Sequence, residues 1–166
     1  MLTKTQTNAT AAAYMREHRL AWKEAGFSGI TNMAHENDAA RVQSYTTLLK
    51  FERLLMLVNA GDEEAIKLAI SRNTPKMPMF DEMKTLEDRV AAAIKNGKTG
   101  ATEAKGMLAA VHKYAKKASM YRAVVDDDYT NLAAKAHSLI YSNLAGAAYK
   151  MVAALLSSPD LGEDYE

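Results

Sequence analysis

An all-α fold, a bundle of about five or six helices, is what this chain predicts, on three observations. Alanine occurs 30 times against three prolines and three phenylalanines, and alanine loses no side-chain entropy on entering a helix. Apolar side chains recur every three to four positions over long stretches, the period of a helix with one buried face. Stop signals (Gly26, Gly61, Pro75, Pro78 and Gly97) separate those stretches at helix-length intervals.

Taken in order, a first helix is expected from about Ala9 to Ala25, capped by Thr7 or Asn8 and ended by Gly26. Ala11, Tyr14, Met15, His18, Trp22 and Ala25 share one face, with Arg16, Arg19 and Lys23 forming a basic row elsewhere. After a link over 27–34, for which a short extended segment near 28–34 is an option, a second helix opens at Asn37 or Asp38 and runs to about Asn59. Its apolar stripe is read as Val42, Tyr45, Leu48, Leu49, Leu55 and Met56, and the run Leu54 to Val58 as buried all round. Asp62-Glu63-Glu64 places acid at the positive end of a short helix reaching Ser71.

Pro75 and Pro78 push Thr74 and Met77 out of helical geometry, which makes 73–78 the clearest breakpoint. A helix from Asp81 to Lys95 follows, then a turn at Gly97 to Gly100. The next helix, Thr102 to Val125, is two-faced: Met107, Ala110, Val111, Tyr114, Ala118, Tyr121 and Val125 lie together. Lys105, His112 and Lys116 lie opposite, flanked by Lys113 and Lys117. Asp126-Asp127-Asp128 reads as a new helix start, with continuity into the last helix as the alternative.

That last helix, Tyr129 to Leu156, holds only Lys135 and Lys150 as formal charges. Leu132, Ala136, Leu139, Leu144, Ala148, Met151 and Leu155 belong to a broad apolar surface, either the centre of the bundle or half of a subunit interface. The small run Ala145-Gly146-Ala147-Ala148 lets another backbone come close. An acidic, mobile tail is expected over 157–166.

At 166 residues the size prior is one domain over 1–156, with subregions 1–74 and 79–156 meeting at the prolines. A chain of this length buries roughly 70% of its unfolded surface without staples. The absence of cysteine excludes disulfides, thiolate metal sites and cysteine nucleophiles. No apolar run nears the roughly 18 residues of a membrane span, and Met1 to Thr10 lacks the apolar core of a signal peptide. The expectation is a cytoplasmic protein with no membrane partner, in which Asn8-Ala9-Thr10 matches a glycosylation acceptor by coincidence.

Site chemistry is sparse. His18, His35, His112 and His137 are scattered without a zinc-binding spacing. Asp126, Asp128 and Asn131 faintly resemble a calcium loop but lack its glycine and its closing glutamate, so they are read as carboxylates at a positive helix end. Nucleophile motifs and a phosphate-cradling glycine loop are absent from the sequence. No catalytic residue, cofactor or metal is expected.

Charge is uneven beneath a net +1: +2 over residues 1–60, zero over 61–100, +4 over 101–122 and −5 over 123–166. Two basic rows, Arg16–Arg19–Lys23 and Lys105–Lys113–Lys116–Lys117, are either solvated helix faces or phosphate-binding surfaces. Tyr14-Met15-Arg16-Glu17-His18-Arg19 to Ala25-Gly26-Phe27, then Ile30 to Ala34 and Asp38-Ala39-Ala40-Arg41-Val42, resembles the opening of ribbon-helix-helix-type DNA-binding regulators. The resemblance covers residues 14–42 and implies that 31–33 enters a DNA groove as a strand, beside a basic arm at Arg16 and Arg19. Against it, the segment does not alternate, and 38–59 reads as one helix where the family turns between two.

These readings point first to a non-enzymatic protein-binding or self-assembling bundle, a homo-oligomer acting through apolar surface at Leu139, Leu144, Ala148, Met151 and Leu155. A DNA-binding regulator using Arg16, Arg19 and Lys23 is the alternative.

Overall fold

The computed structural model describes residues 4–30 and 33–158. Within them the chain forms six α-helices and no strand: α1 (Lys4–Glu24), α2 (Glu36–Asn59), α3 (Glu63–Ser71), α4 (Phe80–Lys95), α5 (Ala101–Asp127) and α6 (Leu132–Ser157). The acidic tail beyond 158 and residues 31–32 lie outside the described residues.

α6 is the centre of the bundle. It packs along α5 and α2, and α3 and α4 close its remaining sides. Every residue from Ser142 to Ala148 is buried, as expected of a helix with so few charges. This settles the choice between core and interface for that helix. Leu144, Ala148, Met151 and Leu155 are buried inside the monomer and Leu139 is half-buried, so none of them is a free docking surface. Leu132, read as part of the same surface, is exposed at the first turn. By length and mean hydropathy (1.3) α6 could cross a membrane, but 72% of that stretch is buried among the other helices. This corrects the expectation that no apolar stretch reaches that length: Lys135 and Lys150 interrupt the stretch without lowering its mean hydropathy below that of a span.

Helix boundaries follow local chemistry. Asp62 caps α3 by accepting from the Ala65 N–H (3.1 Å), and the Glu82 carboxylate reaches back to the Met79 N–H at the start of α4. Gly26, Gly61 and Gly97 take positive φ just past the ends of α1, α2 and α4, closing each helix with a six-residue backbone bond such as Phe27 N–H to Trp22 C=O (3.0 Å). The start of α1 lies earlier than expected. Thr7 and Asn8 are inside the helix rather than capping it, since the alanines after them carry the helical preference. His35, not Asn37 or Asp38, caps α2 through Nδ1, which accepts from the Asn37 N–H (3.2 Å).

The triple aspartate is also placed differently. Asp126 and Asp127 finish α5, at the negative end of its dipole, and Asp128 makes the turn by accepting from the Thr130 N–H and hydroxyl. Those bonds hold the exposed Asp128 carboxyl below its ordinary pKa. Asn131 is the true cap of α6, through its bond from the Ala134 N–H (3.0 Å). The α5–α6 connection is therefore a break and not a continuous helix.

The core is one cluster running from Trp22 to Leu156 on both sides of the proline segment. That segment, 72–79, is a strap laid across α6. Ser142 Oγ accepts from the Lys76 and Met77 N–H groups (2.8 and 3.0 Å), and Asn143 Nδ2 donates to Thr74 C=O (2.9 Å). One turn on, Gly146 lies so close beneath the strap that an added Cβ would sit 2.4 Å from the Lys76 carbonyl oxygen. The close approach expected of the small run at 145–148 thus occurs within the chain.

Candidate functional site

α1 stands apart from this body. Its side chains from Asn8 to Glu17 are all exposed, and it makes only slight contact with the other helices. Its anchor is the elbow at its C-terminal end. Trp22 is buried there, edge-on to Phe27 (centroids 5.1 Å) and Phe51 of α2 (6.3 Å). His18, one turn earlier, takes the Trp22 indole N–H on Nε2 (3.1 Å), and the i,i+4 spacing makes that bond available within the helix.

The elbow is strongly positive. The Lys50 ammonium of α2 sits 3.8 Å over the Trp22 ring and 5.2 Å from that of Phe51, and burial pushes its pKa down. Burial, then Lys50, then Arg72 of the α3 C-terminus lower the pKa of His18. A cleft of about 530 Å³ opens between α1 and α2, walled by Trp22 and Phe27 and carrying Arg19, Lys23 and Lys50; no carboxylate lines it. A larger groove of about 610 Å³ follows α2 and α6 beside the strap, but Lys76, Lys150 and Glu82 give it both signs of charge.

Of the residues singled out from sequence, Arg19 and Lys23 line this cleft and Arg16 does not; on the other side Arg19 and Lys23 share a shallow depression with Arg16, Glu17 and Leu20. The second row stands elsewhere. Lys105, Lys113 and Lys116 are exposed on the outer face of α5, and Lys117 is half-buried. Burial, then Glu52 of α2, raises the pKa of Tyr114 on α5. None of the four α5 lysines lines the α1–α2 cleft.

The four histidines hold structural partners: His18 on Trp22, His35 capping α2, His112 2.9 Å from Glu87 of α4, and His137 stacked on Tyr121 (centroids 4.6 Å) and 2.8 Å from Asn59. Among the described residues no group of three or more His, Cys, Asp or Glu side chains converges as a metal set would. Thr31 and Asn32 of the ribbon-like segment lie outside the described residues; those flanking them form no strand, and α2 is unbroken to Asn59. No protein-family model, curated protein or solved structure matches the chain.

Two features escaped sequence reasoning. Lys50 was not singled out, because no local spacing joins it to Trp22. Ser142 and Asn143 were passed over inside an apolar helix, although buried polar side chains signal a partner to be found.

A stripe on α2 is also left bare. Its buried side chains are Ser44, Leu48, Phe51, Leu54 and Val58, so the core-facing side is rotated from the one expected. Tyr45, Leu49 and Met56 face water instead, and the run 54–58 is buried only at Leu54 and Val58.

Proposed function

We propose that this chain is a non-enzymatic assembly protein that pairs with a second copy of itself, α1 of each copy lying on the outer stripe of the other's α2. The observation that carries this reading is the state of α1. Helices in proteins draw most of their stability from packing an amphipathic face, yet the packed part of this one is its Trp22 end, with Tyr14 reaching only the Arg72 guanidinium, 5.9 Å from the ring centroid, among the described residues. Ala11, Tyr14 and Met15 continue the face that buries Trp22, and all three are exposed. Tyr45, Leu49 and Met56 on α2 offer an apolar strip about 16 Å long. Reciprocal docking makes both contacts at once and closes a two-fold dimer without leaving either surface open.

Sedimentation velocity over a rising concentration series tests the reading. The expected result is a dimer that dissociates on dilution and is lost in Met15→Lys and in Leu49→Lys. Both positions are exposed, so circular dichroism of each variant should match the parent. A sharp monomer at every concentration, or a dimer indifferent to both substitutions, would overturn it.

A further inference from the structure

We propose that the α1–α2 cleft binds a small phosphate-bearing ligand, with Arg19, Lys23 and Lys50 on the oxyanion and the Trp22–Phe27 wall against its organic part. This goes beyond self-association and does not rest on it. Uniform sign is the first ground: three cationic side chains meet in one concavity that no carboxylate lines. Lys50 is the second. Taking an ammonium out of water is costly unless it is paired, and its partners among the described residues are two aromatic rings, not an anion. A ring face recovers only part of that cost. His18 also lines the cleft, its Nε2 taken up by the Trp22 indole N–H, and brings no anion to it.

Phosphate rather than a single carboxylate suits this arrangement. A dianion answers several cations, and the planar guanidinium of Arg19 offers two parallel N–H donors to phosphate oxygens. The cleft volume falls in the range of small-molecule sites, roughly 300–1,000 Å³. A phosphate group alone leaves most of it empty, which favours an ester with an apolar or aromatic portion over the free ion.

Trp22 is the one tryptophan of the chain and lies directly under the Lys50 ammonium, so its emission reports on the site. The full chain is titrated with inorganic phosphate, with phenyl phosphate, and with chloride at matched ionic strength. A saturable change is expected with both phosphates, tighter for the ester, and none with chloride. Lys50→Gln is expected to weaken binding about tenfold or more, the loss of one charge-assisted hydrogen bond. The exposed pair Arg19→Gln with Lys23→Gln does the same and serves if Lys50→Gln disturbs the fold by circular dichroism. Arg16→Gln, outside the cleft, leaves binding unchanged. Phosphate responses equal to that of chloride would overturn the proposal. So would binding seen only with an oligonucleotide and sensitive to Arg16, which would make the row a nucleic-acid surface.

Discussion

His18 illustrates how much one side chain can control here. Its Nε2 must be unprotonated to accept from the Trp22 indole, and burial, Lys50 and Arg72 all hold its pKa below the ordinary 6.5. The undocked chain therefore takes up a proton before the docked one does. Docking of α1 is at full strength above pH 6.5, weakens as pH falls from there toward the lower docked value, and levels off beneath it. Trp22 emission followed from pH 7.5 to 5 should show that loss, and His18→Gln should flatten it, since the amide accepts without titrating. An identical profile in the variant would remove His18 from this role. The His18–Trp22 spacing and the Arg16–Arg19–Lys23 row were legible in the sequence because helical geometry ties neighbours i and i+4. Lys50 was not, because its relation to Trp22 exists only once two helices separated by a link are docked.

At the scale of elements, the strap across α6 sets the sharpest test. Replacing Gly146 by Ala would gain about 1 kcal/mol of helix propensity, but the new methyl meets a backbone carbonyl that has no rotamer by which to withdraw. Overpacking of that kind costs typically about 1–3 kcal/mol, so Gly146→Ala is expected to destabilise by urea unfolding. Ser142→Ala should do likewise by about 1–3 kcal/mol, since it leaves two strap N–H groups without their acceptor. A Gly146→Ala protein as stable as the parent would mean the strap is not clamped. The helices themselves were well indicated, because alanine content and apolar period act locally. Their faces were harder. α2 has apolar side chains on nearly every side, so periodicity alone did not say that Phe51, Leu54 and Val58 turn inward while Tyr45 and Leu49 remain out. The triple aspartate was misplaced because carboxylates suit a helix start and an Asx-type turn alike, and only Asn131 fixes where α6 begins.

For the molecule as a whole, the division between a tight body and an outlying α1 governs what solution measurements should find. Limited trypsin digestion of dilute protein is expected to cut at Arg16 and Arg19 well before Lys135 on α6, where cleavage requires opening the core. Equal rates at these sites would contradict an exposed α1. The strap has another consequence, for kinetics. Bundles of helices fold fast when their contacts are local, but this clasp joins Lys76 to Ser142 across 66 positions. α6 must be synthesised and coiled before the proline segment has anything to fasten to, so the last stage of folding waits on the arrival of a distant stretch of chain.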